Sequence, residues 1–235
     1  MIYLSSFAFP TRGQEDCFFD SSQPGFKKKN FRTVYTSKYP FNLFRDRELP
    51  VFEFPDITIF CGNNGSGKST ILNVIAEKIG LERGTVYNRS DFFEDYTELC
   101  RFVYADESRK EPPADSRIIT SDDVFENVLS IRRLNEGIDE RRNQLIHEYI
   151  TGRDPEKTNT LAGLDDYERW RKSADLRKKS LTQSAFIRKN LMGNVQERSN
   201  GESALAYFVE KMQDGALYLL DEPENSLSPQ NQLQL

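Results

Sequence analysis

Nine consecutive residues restrict the folds open to this chain more than any other stretch. Gly62-Asn63-Asn64-Gly65-Ser66-Gly67-Lys68-Ser69-Thr70 reads G-x-x-x-x-G-K-[ST], the P-loop pattern. The run Ile57-Thr58-Ile59-Phe60-Cys61 precedes it, apolar on both faces as suits a buried parallel strand. After it, Ile71, Leu72, Ile75 and Ile79 fall at helical spacing, with Gly80 as the C-cap. Strand, glycine-rich turn and helix together make a phosphate cradle. The glycines let backbone N–H groups curl around an anion, and the helix N-terminus adds its positive dipole end. In that cradle Lys68 would reach the β- and γ-phosphates of ATP, and the Ser69 hydroxyl would ligate Mg²⁺.

A second apolar run, Ala216-Leu217-Tyr218-Leu219-Leu220, reads as another buried strand and ends on Asp221-Glu222. An acidic pair at the C-terminal end of a core strand, beside a P-loop, divides two tasks. Asp221 holds Mg²⁺ through water, and Glu222 polarises the attacking water as general base. Taken alone, such a run is only a strand leaving the core; the P-loop gives it its meaning.

The string Leu219-Leu220-Asp221-Glu222-Pro223, followed by Glu224-Asn225-Ser226-Leu227-Ser228, resembles the Walker B motif and D-loop of ABC-type ATPases. Ser199-Asn200-Gly201-Glu202-Ser203 ends 18 residues before Asp221 and resembles their signature motif. The chain is most similar to stand-alone cytosolic members, the RecF-like and SMC-like AAA-type ATPases of DNA repair and phage defence. That resemblance implies an α/β P-loop NTPase fold of ABC type: a mixed sheet flanked by helices, with an N-terminal antiparallel β region and a helical lobe. It implies a single domain over 1–235, comprising the β region and P-loop (1–87), a mostly helical lobe (88–198), and signature, Walker B and D-loop (199–235). It also implies an ATPase that works as a head-to-tail homodimer, with Ser199, Asn200, Gly201 and Glu202 of each head capping the γ-phosphate held by the other. A nuclease or other effector protein is the expected partner class.

The pattern departs from the family in several places. Arg198 stands where Leu is usual, Asn200 where Gly is usual, and Ser228 where the D-loop usually has Asp. No Gln occurs between Gly62 and Arg142, so the Q-loop glutamine has no counterpart, and Glu94 or Asp91 is the substitute to examine. No switch histidine follows the Walker B motif, so the sequence reads as lacking that C-terminal segment. Two other readings stand beside the hydrolase: an ATP-dependent switch with little hydrolysis, and the ATPase subunit of a membrane transporter.

The remainder is coarser. Residues 2–9 read as an edge strand, and 10–50 as mostly irregular. Val124, Val128, Ile131, Ile138, Leu145 and Tyr149 repeat at sevens, threes and fours, which predicts a long helix capped by Ser121 or Asp122. A second helical stretch is expected over 164–192, with Tyr167, Trp170, Ala174, Leu181 and Ala185 on one stripe. Ser228-Pro229 reads as a helix start. Tyr35, Tyr39, Phe41 and Phe44 are each placed to stack on adenine, although a core role suits any one of them better. Of a net charge of −5, nine Lys/Arg against two acids between Arg169 and Arg198 give that segment +7 and leave −12 elsewhere. Such a run either faces nucleic-acid phosphates or forms a solvated helix face. No apolar run spans a bilayer. The three cysteines lie far apart, which fits a reducing cytoplasm, and a single histidine leaves little room for a Ser-His-Asp hydrolase.

Overall fold

The computed structural model describes residues 2–20, 22, 37–47, 49–153, 182–196 and 199–233. They divide into two compact units, Met1–Phe125 with Asn200–Leu235, and Glu126–Ser199. In chain order the first unit carries β1 (Leu4–Ala8), α1 (Arg12–Phe19), β2 (Phe52–Glu53), α2 (Lys68–Ile79), β3 (Glu82–Arg83) and α3 (Phe93–Leu99). Then come β4 (Arg101–Tyr104), β5 (Arg117–Thr120) and α4 (Ser121–Arg153), the last continuing into the second unit. The second unit adds α5 (Gln183–Asn190). The first resumes with α6 (Asn200–Lys211), β6 (Tyr218–Asp221), a 3₁₀ turn (Pro223–Ser226) and α7 (Pro229–Gln232).

Among the described residues the strands form two three-stranded sheets where the sequence suggested one mixed sheet. β2-β1-β4 is antiparallel and β3-β5-β6 is parallel. β1 is therefore central, not an edge: β2 pairs on one side and β4 on the other. Residues 88–120, grouped with the helical lobe by sequence, instead supply α3 and a strand to each sheet.

α2 runs from Lys68 to Ile79 and stops at Gly80, whose φ of +74° is the left-handed C-cap its sequence implied. Val74 and Ile75 are fully buried, each contributing roughly 1.5–3 kcal/mol by leaving water. They join Phe7, Phe41, Phe44, Phe92, Phe93 and Tyr96 in an aromatic-rich core. The run 57–61 departs most from expectation: Ile57 is 80% and Ile59 78% exposed, and no strand forms there. Only Phe60 reaches inward, packing near Leu72, Ala76 and Ile118. The physical reason is the missing ladder, because among the described residues β6 pairs with β5 alone and nothing pairs with 57–61.

α1 breaks the supposedly irregular stretch 10–50. Thr11 and Gln14 form a capping box that satisfies backbone donors at its start. In α4, Val124, Val128, Ile138, Leu145 and Tyr149 are buried as their spacing predicted. Its N-terminus is held by Thr120 and Asp123 in place of Ser121 or Asp122: Asp123 Oδ2 accepts from the Thr120 backbone N–H at 2.7 Å and hydroxyl at 2.8 Å. Only α5 of the predicted helix 164–192 falls within the described residues. Tyr35, Tyr167, Trp170, Ala174, Leu181, Arg198 and most of the basic segment lie outside them.

Candidate nucleotide site

The P-loop leaves the surface at Gly62–Gly65 and turns inward through Ser66–Ser69 to Thr70, which is buried. Ser66 N–H donates to the Asn63 carbonyl at 3.1 Å, closing the tight turn. Gly67 has φ +97° and caps α2, and its Cα lies against Phe44, where an added Cβ would come within 2.6 Å of the ring. Two features of residues 39–47 brace the loop from outside. Tyr39 Oη donates to Thr70 Oγ1 at 2.9 Å, and Arg47 Nη1 donates to the Ser66 carbonyl at 2.8 Å. Phe41 and Phe44 are buried in the core, the role their type favoured over adenine stacking. Arg47 carried no local sequence signal, because its partner lies 19 residues away.

Lys68 Nζ donates to the carbonyls of Gly62 (2.8 Å) and Asn63 (3.3 Å), so its charge lies across the mouth of the loop. On the inner side Ser69 Oγ donates to Asp221 Oδ1 at 3.0 Å, joining residues 152 positions apart. This pairing brings the two predicted Mg²⁺ ligands together. Burial raises the Asp221 carboxyl above its ordinary value. Its hydrogen bond from Ser69 and the charges of Arg83 and Lys68 pull it down, while Glu222 pushes it up. A half-buried carboxylate beside a hydroxyl is a hard oxygen donor set of the kind Mg²⁺ takes, alongside waters and phosphate oxygens.

Glu222 follows in a left-handed backbone conformation, φ +51°, at the head of the 3₁₀ turn. Asn225 holds it there twice. Its backbone N–H donates to the Glu222 carbonyl at 3.2 Å and its Nδ2 to Glu222 Oε2 at 2.6 Å. Strained non-glycine residues cluster at functional sites, where the surroundings over-determine them.

The residue paired with Asp221 across the parallel ladder is Thr120. Thr120 Oγ1 lies 3.4 Å from Thr85 Oγ1, and Asp123 Oδ1 lies over Gly84, where a Cβ would approach within 2.6 Å. Glu94, considered as a glutamine substitute, instead pairs with Arg89 at 3.0 Å. A cavity of about 370 Å³ along α2, lined by Asn73, Glu77, Arg83, Tyr87 and Arg89 among others, contains no P-loop residue.

Asn200, Gly201, Glu202 and Ser203 of the signature string form the first turn of a helix. α6 begins at Asn200, with Asn200 and Glu202 exposed and Ala204 and Phe208 buried against Ile119, Val124 and Leu227. Asn231 of α7 donates to the Gly201 carbonyl at 3.4 Å. Ser199 is exposed and is the last residue of the second unit.

The family model described as ABC transporter matches residues 53–225. That span runs from β2 through the P-loop to the turn carrying Asn225. No curated protein and no solved structure matched the chain.

Proposed function

The chain belongs to the ABC transporter family, and from that premise we propose that it is an ATP hydrolase working through a nucleotide-dependent head-to-tail homodimer. The observation that carries the proposal is the Ser69–Asp221 contact, which assembles loop and acidic strand end into one site. Family membership makes the domain an ATP-binding, ABC-type P-loop ATPase. The dimer and the work it performs are the proposal.

In this reading the backbone N–H groups of 62–67 and the N-terminus of α2 hold the phosphates, and Lys68 leaves its two carbonyls to meet the β/γ charge. Ser69 and Asp221 would hold Mg²⁺, which supplies positive charge against the phosphate oxygens when bound. Glu222, oriented by Asn225, takes the proton of the attacking water. Ser199 to Glu202 of a second copy cap the γ-phosphate. The physiological setting is DNA repair or phage defence, with a nuclease or other effector as the downstream partner. The basic stretch 169–198 suits nucleic acid. A cytoplasmic location fits the cysteine pattern.

Phosphate release at saturating Mg²⁺-ATP tests the chemistry. Glu222→Gln should lower turnover at least roughly a hundredfold, at the scale of a lost general base, while keeping ATP affinity. Lys68→Ala should lose most of that affinity. Undiminished turnover in Glu222→Gln contradicts the general-base assignment, and turnover absent from the wild type as well points to the switch reading. The transporter reading is favoured by the description of the matched family. Stable co-purification with a polytopic membrane protein would establish it. Among the described residues no helix is long and apolar enough to cross a membrane.

A further inference from the structure

The cavity along α2 holds a cation without a counter-charge. Ala76, Leu81 and Ile118 give it an apolar floor, and its charged lining residues are Glu77, Arg83 and Arg89. Both Glu77 oxygens are engaged. Oε1 accepts from Arg89 Nη2 at 3.0 Å, and Oε2 from Tyr87 Oη at 2.7 Å. Arg89 also meets Glu94 at 3.0 Å. Arg83 has only neutral partners: its Nε donates to the Thr85 carbonyl at 2.8 Å and its Nη1 to Asn73 Oδ1, and its guanidinium lies 4.3 Å from the centroid of the Tyr87 ring. None of the ion pairs among the described residues includes it. Burial pulls its pKa below the ordinary value, against Asp123 and, after it, Tyr87, Asp221 and Asp122, which raise it. A cation half out of water without an anion carries a desolvation cost, which an ionised acceptor offsets.

We propose that this cavity binds a small monocarboxylic acid with an apolar body, the carboxylate on Arg83 and the body over Leu81 and Ile118. Charge, geometry and size each point to that class. Two cations and one carboxylate leave the lining one positive charge, which a monoanion balances. The planar guanidinium fork matches a carboxylate, and Arg83 Nη2 has no partner among the described residues. About 370 Å³ lies near the small end of ligand cavities. The bonds to Asn73 and Thr85 already hold Arg83 in place, so little side-chain freedom is lost on binding. All the lining residues belong to the first unit, and none is in the P-loop. The site is therefore a second one, and it stands independently of the nucleotide reading.

Cyclohexanecarboxylate is the probe, with cyclohexanecarboxamide as its uncharged counterpart and cyclohexyl phosphate as a dianion. Each is titrated into the isotope-labelled chain and followed by NMR, with and without saturating Mg²⁺-ADP. The expected result is millimolar binding of the carboxylate with shifts centred on Thr85 to Tyr87, unaffected by the nucleotide. The carboxamide should bind at least about tenfold more weakly, at the scale of a lost charge-assisted bond. Arg83→Met should weaken the carboxylate to the same extent, and Arg83→Lys, which keeps the charge without the fork, should fall between. Val86 lines the cavity and is 93% exposed, so substitutions there leave the core alone and cover the case in which Arg83→Met fails to fold. At low ionic strength Val86→Glu should weaken binding and Val86→Lys should tighten it, each by about twofold.

No saturable binding by the wild type at millimolar carboxylate overturns the inference, as does equal affinity for the carboxamide or for folded Arg83→Met. Displacement of the probe by Mg²⁺-ADP, or shifts confined to the P-loop, overturns the location. Val86 variants that move affinity in the same direction contradict recognition by charge, and tighter binding of cyclohexyl phosphate overturns the monocarboxylate assignment.

Discussion

Gly67 answers two demands at once. Its φ of +97° is a conformation that L side chains rarely adopt, and the ring of Phe44 occupies the place of a Cβ. Gly67→Ala is therefore expected to displace either the loop or Phe44, and to weaken Mg²⁺-ATP binding at least about tenfold, or 1.4 kcal/mol. Calorimetry checks this directly, and unchanged affinity would mean that the loop tolerates a different path. Glu222 shows the opposite solution. A left-handed backbone costs a residue with a Cβ about 1–2 kcal/mol, and the two bonds from Asn225 hold it there. The strain fits the role assigned to this side chain, because a carboxylate aimed by its own backbone needs little ordering when substrate arrives.

At the level of elements, α1 ties the N-terminal region to the residues that brace the P-loop. Glu15 on α1 is 2% exposed, and its Oε2 accepts from the Asn42 backbone N–H at 2.9 Å. Burial raises its carboxyl above the ordinary 4.5, more than the Asn42 bond and the Arg45 charge lower it. A carboxyl raised in the folded state favours folding below its unfolded value, and that contribution is lost as pH rises through the folded value. Glu15→Gln keeps an acceptor for Asn42 and removes the charge. It should melt higher than wild type at pH 7, with the gap closing as pH falls towards 4.5. Thermal unfolding at both pH values checks this, and a variant equally destabilised at both would contradict it. This element also shows where sequence reading stopped. Thr11-x-x-Gln14 was a visible capping signal for α1 inside a stretch otherwise read as irregular. By contrast α2, the Asp221 strand end and the buried stripe of α4 were legible, because spacing within one element determines them. The central place of β1 was not, since its partner β4 lies nearly 100 residues on and leaves no local mark. The run 57–61 misled for the same reason: an apolar sequence gives strand propensity, but only a neighbour makes a ladder. Arg47 on Ser66 and Asn135 on Val195 are likewise non-local pairings, and Asn135 showed only as a polar residue interrupting an apolar stripe.

For the molecule as a whole, the first unit carries most of the groups that the proposed cycle uses. It holds the P-loop, Asp221, Glu222 and, of the signature string, Asn200, Gly201 and Glu202, while Ser199 is counted with the second. A site completed by another copy makes the triphosphate an assembly signal, because only the γ-phosphate reaches both surfaces and a ligand shifts an equilibrium by its differential affinity alone. ATP with Mg²⁺ should therefore drive association and ADP should not. Glu222→Gln should hold the associated state longest, since hydrolysis is what removes the bridging phosphate. The most direct measurement is the molar mass in solution of wild type and Glu222→Gln with Mg²⁺-ATP and with Mg²⁺-ADP. The account predicts a doubling of mass with ATP only, most persistent in Glu222→Gln; a mass that stays the same with either nucleotide, in both proteins, would contradict it.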